Sequence, residues 1–200
     1  NTSTRIEENI DLILENLQQA KRPVVIAGNG VRFSDRYTDF LKIINLLSIP
    51  VLPVFNSADL IPTDNKCFCG KPGAEGDRAG NFVQQNSDLL IIIGARMHVR
   101  QVGFNWKSFA RDAKRIMIDV DPKEMNKPTL RIDFKIQANL KYFLPAMLER
   151  LKAYRPSKSH GDYLNWSKAR LKKYPVIQDY HYKDTGNGIN PYALMDIVFK

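Results

Sequence analysis

The sequence predicts an α/β fold, a doubly wound and mostly parallel sheet with helices on both faces. Three observations carry that prediction. Segments with helical spacing alternate with short apolar runs across residues 1–151, the order a parallel sheet needs because each crossover must run over a sheet face. The longest apolar run, Leu89 to Ile93, alternates with nothing polar, as a strand between two helix layers must. Glycines and acids gather just after the apolar runs, where open α/β sheets bind ligands.

The elements follow in order. Ile6, Ile10, Ile13, Leu14 and Leu17 recur at helical spacing and predict a helix over 5–20. Pro23 stops it, and "VVIAG" follows as a short buried strand. Residues 35–47 place Tyr37, Phe40, Leu41, Ile44 and Leu47 on one helical face. "IPVLPVF" reads as a second strand, with Pro53 marking an edge or a strand end. Residues 56–77 form an irregular stretch of a length that is usually functional or disordered. "RAGNFVQQNS" is a short helix leading to the third strand, "DLLIIIGAR". "KRIMIDV", residues 114–120, is a fourth strand; "LRIDFKI" alternates as a fifth, and a helix spans 139–151. From Lys152 to Lys173 the chain is basic with Trp and Tyr interleaved, and its glycine and prolines predict a linker. "INPYALMDIVFK" has the pattern of an amphipathic helix. The expected division is a domain over 1–151, followed over 152–200 by the basic linker and helices. No internal repeat or low-complexity segment is present.

Composition narrows the function classes. Of 200 residues, 44% are hydrophobic and 26% charged, an ordinary globular balance. No apolar run approaches the roughly 20 residues that cross a bilayer, so no membrane role is expected. The N-terminal segment mixes acids among its apolar residues and is not a signal peptide. It lacks an initiator Met, and the last residues stop inside a helical pattern, so a piece of a longer polypeptide is expected. The net charge of +9 suits nucleic acid, but no nucleic-acid motif accompanies it; a solvated segment or a surface facing an acidic domain fits better. Cys67 and Cys69 form a C-x-C without a second ligand pair, which predicts two ordinary thiols, a reducing cytoplasmic setting and no metal.

The turns after the strands hold the candidate ligand residues. Gly28-Asn29-Gly30 supplies two glycines of a dinucleotide fingerprint, but Phe33 stands at the third position and no acid follows about 20 residues on. The turn is either an anion site at a helix start or a corner requiring positive φ at glycine. Gly94 permits a sharp turn after the third strand, and Arg96 and Arg100 suit a pyrophosphate by bidentate hydrogen bonding, unless they pair with Asp119 or Asp121. His98 reads as a loop residue. In "IDVDP" an acid closing a strand suits ribose hydroxyls, while Asp121 before Pro122 suits a helix cap. Gly70-Lys71-Pro72-Gly73 adds backbone N–H groups and one cation. No acid, base and nucleophile set stands out, and His98, His160 and His181 lie far apart. No catalytic residue is expected in this chain.

"KRPVVIAGNGVR", "IPV", "GKPGAEGDRAGNFVQQNSDLLIIIGAR" and "FARDAKRIMIDVDPKEMNKP" together resemble the central domain of thiamine-diphosphate-dependent enzymes, acetolactate synthase and its relatives most of all. The resemblance covers roughly residues 20–151, and "INPYALMDIVF" is similar to the segment leading into that family's C-terminal domain. It implies a DHS-like NAD/FAD-binding type of domain within a three-domain enzyme that decarboxylates and joins 2-keto acids. Thiamine diphosphate and Mg2+ would be held by the N- and C-terminal domains of the same polypeptide, in a homodimer or homotetramer. Gly76-Asp77 and Gly161-Asp162 lack the glycine and asparagine of the family's diphosphate motif. The resemblance also implies FAD or ADP in this domain, at positions matching Gly28, Asn29, Gly30, Phe55, Asn56, Gly70, Lys71, Pro72, Gly73, Gly94, Ala95, Arg96, Arg100, Asp119, Asp121 and Glu124. Asn29 replaces a glycine of the flavin-binding pattern, His98-Val99 an acidic pair and Ala138-Asn139 a Gly-Asp. The competing classes are a stand-alone adenine-nucleotide module and an NAD-dependent deacylase of the same fold; the latter's catalytic His beside a Gly-rich loop and four-Cys zinc module are missing.

Overall fold

The computed structural model describes residues 2–183, 186 and 188–199, with side chains from Arg5 onward. In chain order, α1 (Thr2–Gln19) leads into β1 (Pro23–Ala27), α2 (Gly30–Phe33), α3 (Tyr37–Leu47) and β2 (Val51–Pro53). A 3-10 turn over Phe55–Ser57 opens the long irregular loop, which ends at α4 (Arg78–Gln85) and β3 (Leu89–Ile93). Then come α5 (Val99–Val102), β4 (Lys114–Asp119), α6 (Pro122–Met125), β5 (Phe134–Gln137), α7 (Leu140–Leu151), α8 (Lys158–Lys173) and α9 (Pro191–Val198).

The five strands pair in the order β2-β1-β3-β4-β5, all parallel. Register runs straight across the sheet, Val51 beside Val25, Ile91, Ile116 and Phe134. Alternate side chains therefore share a face. Val25, Ile91, Ile116 and Ile136 meet Ile10 and Ile13 of α1, Phe40 and Ile44 of α3, and Phe143 and Met147 of α7. Val24, Ile26, Leu90, Ile92 and Met117 meet Val83 of α4 and Tyr163 and Leu164 of α8. Both sheet faces are thus covered, as the unbroken apolar run in β3 predicts. β2 is an edge strand ending at Pro53, where a missing amide costs least. The edge is capped at one point by a parallel bridge from Phe68 to Val51.

Two elements depart from the sequence pattern. Pro145 sits inside α7, where its ring removes a donor and leaves a carbonyl one turn back without its helical partner. That carbonyl, of Lys141, accepts from Arg36 Nε at 3.2 Å, so a side chain of the neighbouring segment replaces the lost amide. The second departure is a correction. The linker expected across 152–173 is helical from Lys158 to Lys173. Pro156 lies before the Ser157 cap and Pro175 after the helix end, so neither interrupts it. Gly161 costs about 1 kcal/mol of helix propensity relative to alanine, but burial of His160, Tyr163, Leu164 and Ser167 outweighs it. Tyr163 also donates its hydroxyl to the Val83 carbonyl at 2.6 Å.

Candidate functional site

Because every strand is parallel, the turns after β1 to β5 all emerge at one edge. The order reverses between β1 and β3, and there the two turns meet backbone to backbone. Gly28 N donates to Ile93 O and Gly30 N to Gly94 O, each at 3.0 Å. A Cβ on Gly28 would lie 2.3 Å from Gly94 O, and one on Gly30 would lie 2.7 Å from Gly94 Cα. The expected reason for these glycines is corrected here: neither has positive φ, whereas Gly94 does, at 54°. They are glycines because another backbone occupies the space a side chain needs. Val31 N donates to Gly28 O, so the amides of Gly28, Gly30 and Val31 are all engaged within the protein. At these three positions the turn serves as a corner.

The "GKPG" turn is likewise tied into the protein at two of its amides. Asp77 accepts from Lys71 N at 2.6 Å and from Gly80 N at 2.5 Å, capping α4. Gly73 N donates to Asn81 Oδ1 at 3.0 Å, and Asn81 Nδ2 returns a bond to Gly73 O. Pro72 is buried, and the next amide, of Ala74, donates to Arg100 O at 2.7 Å. Lys71 and Gly73 therefore offer no free amide.

The remaining candidates fall into three groups. Gly30, Gly94 and Asp119 line a cleft of about 210 Å³ together with Phe33, Val120 and Asn139. A second cleft of about 510 Å³, bounded by Arg5, Asn9 and Tyr142, shares Ala138 and Asn139 with it. Asp119 is largely buried and its Oδ1 accepts from Asp121 N at 2.9 Å. Asp121 caps α6 by accepting from Lys123 N, as its position before Pro122 predicts. A second group brings Asn29, Phe55, Asn56 and Arg100 together. Asn29 Nδ2 donates to Asn56 O at 2.6 Å, while its Oδ1 is buried without a partner. The Arg100 guanidinium lies over the half-exposed Phe55 ring, 5.3 Å from its centroid, with Glu75 at 3.9 Å. In the third group Arg96 Nε donates to Glu124 Oε1 at 2.8 Å, and Lys127 pairs with the other oxygen. Both arginines pair with acids, but with Glu75 and Glu124 rather than Asp119 or Asp121. Ala95 is buried and acts as a spacer beneath the turn.

Sequence reasoning missed Phe33, which is 84% exposed on the cleft wall. Its signal was present: an apolar residue followed by the polar Ser34 and Asp35, three positions after Gly30 at the end of the short α2. His98 accepts from Arg100 N through Nδ1 and caps α5. His160 bridges Tyr154 and the Ala20 carbonyl, and His181 stacks on Tyr192; the three share no site. Cys67 and Cys69 are free and buried, and burial pushes the Cys69 thiol up to about 12 and raises that of Cys67. Among the described residues no group of three or more His, Cys, Asp or Glu is placed to hold a metal. No described helix is long and apolar enough to cross a membrane.

The match to known families decides what the edge belongs to. Residues 10–147 match the model of the thiamine pyrophosphate enzyme central domain. The chain belongs to this family. Among the curated relatives of this central domain is a probable acetolactate synthase large subunit of Methanococcus aeolicus, 36% identical over 68% of the chain and 22% of the relative. The Corynebacterium glutamicum acetolactate synthase large subunit is 30% identical over 86% of the chain and 28% of its own length. Isozyme 3 of Escherichia coli is 23% identical over 100% of the chain and 34% of its own length. The chain thus spans about a fifth to a third of the length of these relatives. The matched span ends in α7, and α8 lies beyond it.

Proposed function

We propose that this central domain serves an acetolactate-synthase-like enzyme that decarboxylates a 2-keto acid and transfers the resulting carbanion equivalent to a second carbonyl. The family match across residues 10–147, with acetolactate synthase large subunits as relatives, carries this reading. Among the described residues no group of three or more His, Cys, Asp or Glu is placed to hold Mg2+. Asp77 of Gly76-Asp77 is engaged by two backbone amides, and Asp162 of Gly161-Asp162 is an exposed residue of α8. Thiamine diphosphate and Mg2+ are assigned to N- and C-terminal domains of the same polypeptide, in a cytoplasmic homodimer or homotetramer. The domain's own work is to scaffold them.

For the cleft the reading is an adenine nucleotide, ADP or FAD. The donor set fits the adenosine end. Asp119 is the buried acceptor that a ribose diol needs, and Gly30 and Gly94 present bare backbone to a ring. Arg96 and Arg100, both exposed, are the cations for the phosphates, since the amides of Gly28, Gly30, Val31, Lys71 and Gly73 are engaged within the protein. A flavin bound here would contribute structure, since carboligation passes no electrons to it. The test equilibrates the protein with FAD, ADP and NAD and follows flavin fluorescence and thermal shift. FAD and ADP should stabilise, with binding weakened about tenfold by Arg96→Ala or Arg100→Ala. Absence of any shift would reduce the domain to a scaffold.

A further inference from the structure

The longest irregular segment of the domain is held by a helix outside the span that the family match covers. Lys168 of α8 reaches to the carbonyls of Asn65 and Phe68, 3.2 Å from each. The ammonium is half-buried, and its partners are main-chain carbonyls rather than a carboxylate. A charged donor makes a stronger hydrogen bond than a neutral one, and two from one nitrogen fix both the distance and the direction of the loop.

The two carbonyls flank the place where the loop joins the sheet. Val51 N donates to Cys67 O at 2.8 Å, and Cys69 N donates to Val51 O at 3.2 Å. Beneath this bridge Cys67 Sγ donates to the Ile44 carbonyl at 3.3 Å. Cys69 packs in the cluster that includes Tyr163 and Leu164. The helix is anchored independently of the loop, by Tyr163 to Val83 O and by His160 to Ala20 O. Lys168 thus links a docked helix to the loop at the point where its two backbone bonds to Val51 and the buried Cys67 and Phe68 tie it to the sheet.

We propose that Lys168 is the latch of the 58–77 loop, a positioning residue that keeps the Phe68 bridge closed and so sets Gly70 to Gly73 at the strand-end edge. When the latch opens, Cys67 and Cys69 lose their cover together. The consequence for a bound nucleotide rests on the reading of the cleft given above; the latch itself does not.

Alkylation by iodoacetamide, resolved residue by residue by mass spectrometry, tests it on the unmodified protein and two variants. Lys168→Met keeps the buried stem and removes the donors. It should speed alkylation of Cys67 and Cys69 about tenfold or more, the change expected when two charge-assisted bonds are lost. Tyr163→Phe breaks a bond of α8 that does not touch the loop and should stay within about twofold of the parent. Equal rates in Lys168→Met and the parent overturn the latch, as does equal acceleration by Tyr163→Phe. Should Lys168→Met not fold, hydrogen exchange on the parent decides: the amides of Cys69 and Lys71 must open together with those of α8. Their exchange while α8 stays protected overturns the proposal. Failure of the nucleotide reading looks different, as no binding of FAD or ADP by the parent with the alkylation contrast intact.

Discussion

Two turns of this domain look alike as sequence, both glycine-rich and both placed at the strand-end edge, yet side chains close only one of them. The junction of Gly28 and Gly30 with Gly94 is closed by main chain alone, and its glycines are demanded by the backbone opposite. The Gly70 to Gly73 turn adds side chains to its main-chain bonds: Asp77 and Asn81 take up the amides of Lys71 and Gly73, while Asp77 N donates to Lys71 O and Ala74 N to Arg100 O. The first cannot change without moving two strands. The second has equally crowded glycines, but part of its closure rests on the replaceable side chains of Asp77 and Asn81, and the loop before it is bonded to Lys168 on α8. The contrast assigns rigidity to the switch point and adjustability to the loop.

The sharpest way to break this comparison is Gly28→Ala. A Cβ there would meet Gly94 O at 2.3 Å and Ala95 Cα at 2.5 Å, neither of which is a flexible side-chain end. The expected loss is roughly 3 kcal/mol or more, read as a fall in the urea midpoint, and a neutral result would show that the junction yields. Asp77→Ala should cost less, about 2–3 kcal/mol, through loss of the α4 cap and the Lys71 bond. It should leave the β1–β3 amides as protected from hydrogen exchange as in the parent; loss of protection there would mean the two turns are not independent.

The smallest effect comes from pH. Cys69 has its thiol pushed up by burial to about 12 from an ordinary value of 9.0. The folded state therefore holds a proton that the unfolded state releases. The stabilisation is present below pH 9 and is lost as pH rises toward 12. It amounts to on the order of 1–2 kcal/mol by pH 10. Denaturation at pH 8 and pH 10 should show that loss, and Cys69→Ala should flatten it. An unchanged slope in that variant would place the alkaline sensitivity elsewhere, with Tyr154, also raised to about 12 by burial, as the next candidate.

Sequence pattern carried the sheet well because each strand announces itself by composition. Val24 to Ile26 and Leu89 to Ile93 are apolar on both faces, and only a strand between two helix layers tolerates that. The helices α1, α3 and α7 show the same clarity, since Ile10, Phe40 and Phe143 recur at helical spacing within polar surroundings. Helix α8 was illegible for a physical reason. Gly161 and its flanking prolines are local signals for a break, whereas Tyr163 and Leu164 stabilise the helix only through contacts with residues some eighty positions earlier. The gathering of the candidate residues at the strand-end edge was legible, whereas the partners of their amides were not. Glycines at strand ends mark the edge, but whether an amide faces a ligand or a neighbouring carbonyl depends on the partner strand, which spacing along one segment does not encode. Phe33 and Asn139, from turns adjoining that edge, completed the cleft in the same way.

The proline within α7 has an evolutionary corollary. Arg36 donates to the Lys141 carbonyl that Pro145 leaves without its helical amide, so this bond of the arginine matters only in a background that has the proline. Where position 145 regains an amide, the carbonyl is satisfied within its own helix and Arg36 keeps only its pairing with Asp39. The two sites, more than a hundred residues apart in the chain, are coupled through one exposed carbonyl: a change at 145 removes the need for the bond from 36, while a change at 36 alone leaves that carbonyl to water.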